Sequence, residues 1–196
     1  MYACYPNDTL DRFSEPLEGN PVATKYLGRF VTSDLAISLY EYFTLSEFID
    51  FNSLKNIHEI GAGYGRTAYV IKTLHPSIDY SIFDIEPTLS LSKKYLTSIL
   101  GDSLNFNTPE NMNNECDLFL AIDCLHEMTS NMVKHYFDYA NNMAKSFYYS
   151  CWNSTEILEH NISWKQLDYP VNPGWKEILN RRHAIRENYF EVIYEC

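Results

Sequence analysis

Three glycines occupy alternate positions in the segment Glu59-Ile-Gly-Ala-Gly-Tyr-Gly-Arg66, between a short apolar run and an amphipathic segment. Glycines at a strand-to-helix turn allow a tight bend and a close approach of a ligand to the backbone. The dinucleotide fingerprint G-x-G-x-x-G would require a third glycine where this chain has Arg66. Asp84 lies at the end of the next apolar run, where a carboxylate can accept hydrogen bonds from both hydroxyls of a ribose. The pattern predicts a nucleoside-binding loop, with a nicotinamide enzyme and a chance glycine turn as alternatives.

A second group with chemical potential is Asp123-Cys-Leu-His126-Glu127, which follows another apolar run. If a helical turn follows, Asp123 and His126 share one face at spacing i, i+3. His126 is the preferred general base, because the pKa of an unperturbed histidine lies near neutral pH. Asp123 and Glu127 would be catalytic beside it. The cluster predicts removal of a proton from an acceptor.

Structural interpretations compete for the same three residues. Asp123 could contact the cofactor amine or cap the next helix. Glu127 could accept hydrogen bonds from backbone amides or from Arg66, and His126 could be an exposed loop histidine. A divalent cation held by Asp123 and Glu127 is a further alternative, because hard ions take carboxylate ligands, but no third acid is evident. The prediction is therefore a site without a metal.

Short apolar runs alternate with amphipathic segments, which predicts right-handed βαβ units and a parallel sheet. We expect a Rossmann-like α/β fold with helices on both faces and a C-terminal antiparallel hairpin. Ligands of such sheets bind at the carboxyl ends of the strands, where both groups lie. Residues 1–50 are expected to form an irregular lead-in and a packing helix that begins at Ser33, and residues 51–196 the catalytic domain. The predicted strands are Ile57–Ile60, Tyr80–Ile85, Leu104–Phe106, Asp117–Ile122, Phe147–Cys151, Trp175–Arg182 and Tyr189–Glu195; the predicted helices are Arg66–Leu74, Leu89–Leu100 and Asn131–Lys145.

The composition excludes several classes of protein. With 196 residues, 45% of them apolar, the chain is long enough for one folded domain. A net charge of −11 argues against nucleic acid as the main partner, and no apolar run approaches the length needed to span a membrane. The five cysteines include no C-x-x-C pair, which favours reduced thiols over disulfides or structural zinc. Because the N-terminus does not resemble a signal peptide, we expect a cytoplasmic protein.

Three segments together resemble the cofactor half of class I methyltransferases, which use S-adenosylmethionine (SAM). They are Glu59–Val70, Phe83–Leu96 and Ala121–Met128, and they look like those of a bacterial family of sugar O-methyltransferases. Gly19-Asn-Pro21 and the C-terminal run Asn188–Tyr194 fit the same family. The resemblance implies a Rossmann-like methyltransferase fold, SAM as cofactor and a sugar acceptor. The family usually carries a residue other than histidine at the position of His126.

The resemblance also implies which residues hold SAM. The loop would hold the methionine part, with Glu59 as the partner of its ammonium group, directly or through water. Asp123 would contact the cofactor as well. The loop residues implied in cofactor binding are Glu59, Gly61, Ala62, Gly63 and Gly65.

On the nucleoside side, Asp84 would bind the ribose and Ile85 would pack on the adenine. The adenine amine needs an acceptor after the third strand, for which Asn107 and Glu110 are candidates. Asp102 is a weaker candidate, because Gly101-Asp102 is expected before that strand.

The resulting prediction is an enzyme that transfers a methyl group from SAM to a hydroxyl of a sugar or glycan. Two alternatives stay open: a methyltransferase of a non-sugar small molecule, and a SAM-binding protein without turnover. Further acceptor contacts are expected from Trp152-Asn153 after the fifth strand and from a closing loop at Tyr169–Gly174. The basic run Arg181-Arg182-His183 would be either a solvated surface or a site for an anionic sugar.

Overall fold

The computed structural model describes residues 13–158 and 162–196. These residues form eleven strands and four α-helices. The strands are β1 (Thr24–Tyr26), β2 (Arg29–Val31), β3 (Asn56–Ile60), β4 (Asp79–Phe83), β5 (Asn105–Asn107), β6 (Cys116–Ile122), β7 (Ala144–Trp152), β8 (Ser154–Ile157), β9 (Ile162–Lys165), β10 (Lys176–Arg182) and β11 (Tyr189–Glu195). The helices are α1 (Ser33–Ser46), α2 (Arg66–Leu74), α3 (Thr88–Leu100) and α4 (Ser130–Met143).

A seven-stranded sheet lies at the centre, in the order β10-β11-β7-β6-β3-β4-β5. The strands β3 to β7 pair in parallel. β11 is antiparallel to both of its neighbours, β7 and β10. The predicted α/β class is confirmed: the sheet is mostly parallel and Rossmann-like, with a C-terminal antiparallel hairpin whose second strand lies inside the sheet.

Two hydrophobic cores cover the two faces of this sheet, as predicted for helices on both faces. The first core joins α1, α2 and α3 through residues such as Leu39, Val70 and Leu96. The second joins α4 to the β8–β9 hairpin, with Phe137 and Trp164 among its members. Because side chains alternate along a strand, the neighbours His58 and Glu59 of β3 enter opposite cores. His58 hydrogen-bonds Tyr139 of α4, while Glu59 accepts from Tyr80 of β4.

The lead-in differs from its prediction in the part that the structure describes; residues 1–12 lie outside it. β1 and β2 form a hairpin whose two-residue turn has φ of 46° at Leu27 and 83° at Gly28. Positive φ at both residues is the requirement of a type I′ turn. Leucine rarely adopts that conformation, so the sequence Leu27-Gly28 did not indicate a hairpin turn. The cap of α1 is Thr32, one residue before Ser33, and its Oγ1 accepts the N–H of Leu35 at 3.1 Å.

Candidate active site

The glycine loop joins β3 to α2 at the carboxyl edge of the sheet. Its glycines all have left-handed backbone, with φ of 61° at Gly61, 56° at Gly63 and 84° at Gly65. A Cβ on Gly61 would lie 2.6 Å from Cys124 Cβ, and one on Gly65 would lie 2.4 Å from Leu96 Cδ1. At Gly63 none of the residues that the structure describes, apart from its chain neighbours, has an atom within 4 Å of that position. Gly61 and Gly65 therefore serve close packing, whereas Gly63 leaves space beside the backbone.

Gly61→Ala should destabilise the protein more than Gly63→Ala. Both changes force alanine into left-handed backbone, at a cost of about 1–2 kcal/mol. Gly61→Ala adds the contact with Cys124, and overpacking of this kind costs about 1–3 kcal/mol more. Urea unfolding of the two variants measures the difference. Equal losses of stability would contradict the close packing of Gly61 on Cys124.

Asp84 directly follows β4 and ties the glycine loop to the end of that strand. Its Oδ2 accepts the N–H of Gly63 at 3.1 Å, and its Oδ1 accepts the N–H of Ile85 at 2.8 Å. Burial raises the pKa of this carboxyl, and the two backbone hydrogen bonds oppose the shift. A carboxylate has about four lone-pair sites, so acceptor capacity remains for a ligand.

Glu59 lies below the loop on β3 and is 2% exposed. Tyr80 Oη donates to its Oε2 at 2.8 Å. Burial raises the pKa of Glu59 to about 7, partly offset by the hydrogen bond from Tyr80. A cation bound nearby would favour the ionised form. The position suits the predicted contact with an ammonium group.

A cavity of about 290 Å³ lies between the glycine loop, α1 and the end of β6. The structure brings the predicted Glu59, Gly61, Ala62, Gly63 and Asp123 together around it, whereas the predicted Gly65, Asp84 and Ile85 are absent from its lining. Glu41 of α1 and Arg186 of the β10–β11 loop also line this cavity, and neither was predicted as a site residue. The available signal for Glu41 was an acid inside the otherwise apolar run Leu39–Phe43. Arg186 carried none, because only the sheet topology brings the hairpin to this edge.

Asp123 follows β6 and is held by donors from the C-terminal hairpin. Tyr189 Oη donates to its Oδ1 at 2.5 Å, and Arg186 Nη2 donates to its Oδ2 at 3.0 Å. Its φ is 57°, which is a left-handed conformation that non-glycine residues seldom adopt. Where they do adopt it, the residue frequently belongs to a functional site. The side chain is 34% exposed and lines the cavity. Asp123 is thus a fixed carboxylate that lies at the cavity wall.

His126 lies behind Asp123 and is 4% exposed, so the interpretation as an exposed loop histidine is wrong. Its Nε2 is 3.6 Å from Asp123 Oδ1, while its buried Nδ1 has no hydrogen-bond partner among the described residues. The imidazole stacks on Trp152 with ring centroids 5.7 Å apart. Burial lowers the pKa of His126, and the nearby Asp123 and Glu127 oppose this shift. The ring is therefore neutral at neutral pH, which is the form that accepts a proton.

The interpretation of Glu127 as an acceptor for Arg66 is wrong. Its side chain is 69% exposed, and its Oε1 lies 4.0 Å from His126 Nε2. Arg66 instead forms an ion pair with the buried Glu15 and donates to Tyr95 Oη at 2.7 Å. In residues 13–158 and 162–196, no three metal-ligating side chains come together.

The residues predicted for the nucleoside lie around Asp84. Ile85 is 61% exposed and offers an apolar surface next to that carboxylate. The carbonyl of Asn107 accepts the N–H of Asp84 at 3.2 Å, and the exposed Glu110 lies in the short 3-10 helix that follows. Asp102 and Asn107 both line a separate cavity of about 660 Å³ along β5. Of the three candidates, Asn107 is the one in direct contact with Asp84.

The residues expected to contact the acceptor, Trp152, Asn153 and the loop that begins at Tyr169, lie in different surroundings. Trp152 at the end of β7 is 42% exposed and contacts His126 and Tyr189, but it does not line the cavity beside the glycine loop. Tyr169 does not begin a free closing loop, because it is 5% exposed and stacks on Trp164 in the second core. The backbone N–H of Asn153 donates to the carbonyl of Asn188 at 2.7 Å.

The basic run does not form the hypothetical anion site. Arg181 Nε donates to the buried Glu191 Oε1 at 2.7 Å, so its charge is already neutralised. His183 is 3% exposed, and burial lowers its pKa to about 4, which leaves it uncharged at neutral pH. Arg182 is exposed on β10. The run is therefore divided between an internal ion pair, the interior and the surface.

No protein-family model and no curated protein matches this sequence. Solved structures match it in fold. A mitomycin 7-O-methyltransferase superposes with a TM-score of 0.64 at 15% identity, over 82% of this chain and 54% of that one. An O-methyltransferase family protein from Burkholderia thailandensis gives 0.63 at 15% identity, over 82% and 56%. This chain therefore spans little more than half the length of those two proteins.

A third structure matches over most of its own length. The SAM-dependent methyltransferase from Aquifex aeolicus gives a TM-score of 0.59 at 14% identity, over 78% of this chain and 87% of that chain. At such identities the likeness establishes the fold alone. Within the described residues, no helix combines the length and apolar character needed to cross a membrane.

Proposed function

We propose that this protein is a SAM-dependent O-methyltransferase that acts on a small-molecule hydroxyl. The observation that carries the proposal is the hydrogen bond of 3.1 Å between Gly63 N–H and Asp84 Oδ2, at the carboxyl ends of adjacent parallel strands. A backbone loop beside an acid at this position is the arrangement that holds a ribose in nucleoside-binding α/β folds. The solved structures of similar fold are described as methyltransferases, which supports the same chemistry here.

The residues around the cavity fit SAM. Gly63 leaves open space beside the backbone, and Glu41 Oε1 is buried without a hydrogen-bond partner among the described residues. When bound, SAM supplies an electrophilic methyl group on a positively charged sulfur. In this proposal Glu59 faces the ammonium group, Asp84 the ribose and Ile85 the adenine.

The chain itself must remove the proton of the acceptor hydroxyl, because a neutral hydroxyl is a poor nucleophile. Asp123 is the carboxylate that reaches the cavity, and Arg186 and Tyr189 fix its orientation. We assign Asp123 to contact the hydroxyl, with the neutral His126 3.6 Å behind it to take up the proton. Glu127, 4.0 Å from the same ring nitrogen, would stabilise the resulting charge on His126.

A sugar is the acceptor class that we propose first. Trp152 and Tyr189 place aromatic rings next to Asp123, and the indole is 42% exposed. Aromatic faces beside a carboxylate suit a ring that carries hydroxyls, because such a ring has both apolar faces and polar edges. A planar non-sugar acceptor would use the same rings, so a panel of hydroxyl compounds of both kinds is the appropriate assay.

Isothermal titration calorimetry with SAM, its demethylated product S-adenosylhomocysteine (SAH) and NADH tests the cofactor assignment. We expect SAM and SAH to bind with Kd on the order of 10 µM, near −7 kcal/mol, and NADH to give no heat of binding. Preferential binding of NADH would contradict the proposal. SAM binding without transfer of a labelled methyl group to any member of the acceptor panel would instead favour a binding protein.

A further inference from the structure

Glu41 is a buried carboxylate that the proposed proton transfer does not use. It lies on α1, is 1% exposed and lines the cavity beside the glycine loop. Its Oε2 accepts from Thr67 Oγ1 at 3.2 Å, whereas its Oε1 has no hydrogen-bond partner in the described part of the chain. Buried polar atoms in native structures are nearly always paired, so an unpaired oxygen at a cavity wall indicates a ligand that completes it.

The charges around this oxygen favour a cation. Glu59 and Asp123 share the cavity with Glu41, and Arg186, which also lines it, pairs with Asp123 through Nη2, while its buried Nη1 has no hydrogen-bond partner among the described residues. Asp34 and Arg66 also line the cavity, and Arg66 is paired with Glu15. Carboxyl groups therefore outnumber unpaired positive groups at this wall. Burial raises the pKa of Glu41 to about 8, opposed mainly by Arg186, so a bound cation would help to keep this group ionised.

We propose that Glu41 is a specificity residue that favours SAM over SAH by charge, as the carboxylate that stabilises the sulfonium of the cofactor. This inference rests on the proposed function. SAM and SAH share the amino acid and the nucleoside, and they differ in the methyl group and the positive charge on sulfur. An anionic oxygen that lacks a donor among the described residues therefore attracts only one of them by that charge. Methyl transfer removes the positive charge from the sulfur, so the attraction to Glu41 would be weaker for the product SAH, and the release of SAH would be easier.

Calorimetry with SAM and SAH on the wild-type protein, Glu41→Gln and Glu47→Gln tests this inference at pH 8.5. Glutamine keeps the shape of Glu41 and removes the charge. Glu47 caps the same helix in an exposed position, so Glu47→Gln is the matched control. We expect Glu41→Gln to lower the affinity for SAM about 10-fold and that for SAH by less than about 2-fold, with no change in Glu47→Gln.

An equal loss of affinity for both ligands in Glu41→Gln would overturn the inference, because it would place Glu41 at a group that SAM and SAH share. Unchanged affinity for both would also overturn it. Failure of the proposed function is distinguishable, since the wild-type protein would then bind neither ligand.

Thermal unfolding checks that Glu41→Gln is folded. The pKa of Glu41 is raised from 4.5 to about 8 by folding, so the wild type loses stability as pH rises through that range, and glutamine removes this loss. The variant should therefore melt no lower than the wild type at pH 9. A second measurement uses the wild type alone: its preference for SAM over SAH should increase from pH 6 to pH 9. A preference independent of pH would contradict the role of an ionising carboxylate.

Discussion

Asp84→Ala is expected to weaken SAM binding at least about 100-fold. The change removes an acceptor for two ribose hydroxyls, and hydrogen bonds to a charged group contribute about 1.5–3 kcal/mol each. It also releases Gly63 N–H, which Asp84 Oδ2 accepts at 3.1 Å, so the glycine loop loses its tie to β4. Calorimetry with SAM measures the loss directly.

The control for this variant is Asp79→Ala, at the opposite end of the same strand. Asp79 is exposed and accepts from Asn105 Nδ2 at 2.7 Å, far from the carboxyl edge. We expect its affinity for SAM to match that of the wild type within about 2-fold. Retained affinity in Asp84→Ala would show that the ribose binds elsewhere and that the site has been assigned to the wrong carboxylate.

Asp123→Asn is expected to lower the rate of methyl transfer by about 100- to 10,000-fold, the range typical of a lost general base. Asparagine keeps the shape of the side chain and tolerates the left-handed φ of 57°. The amide oxygen can still accept from Tyr189, whereas the ion pair with Arg186 is lost, so calorimetry with SAM must accompany the rate measurement to show that the cofactor site is intact. Single-turnover transfer to a hydroxyl acceptor separates the chemical step from binding.

Two further variants test whether Asp123 and His126 act together: His126→Ala, and the double variant that combines Asp123→Asn with His126→Ala. If they form one proton-accepting unit, the double variant loses no more activity than the more damaging single change. His135→Ala, on the exposed surface of α4, is the control and should leave the rate unchanged. Full activity in His126→Ala would assign that histidine a packing role against Trp152.

The rate should also depend on pH through His126. Its pKa is lowered from 6.5 by burial, so the neutral ring persists to lower pH than in an ordinary histidine. We therefore expect a rate that is constant above pH 7 and falls only in acid.

Much of the fold could be predicted from local pattern. Buried strands such as Cys116–Ile122 are apolar on both faces, and the amphipathic segment that became Ser130–Met143 carries a single apolar stripe. The hairpin β8–β9 was not predicted, although Trp164 contributes to the second core. Each of its strands has only four residues, so the alternation of inward and outward side chains is too short to distinguish the strands from a loop.

The sequence by itself determined the residues that must lie at strand ends. The glycine loop, Asp84 and Asp123 each follow an apolar run, and parallel strands bring their carboxyl ends to one edge. Only the tertiary structure decided what surrounds them. Glu41 and Arg186 reach the same cavity from a helix before the sheet and from a hairpin at the end of the chain, and Tyr189 of that hairpin holds Asp123 at the cavity wall. Contacts between such distant segments depend on how helices and strands pack, and spacing along the chain carries no record of that packing.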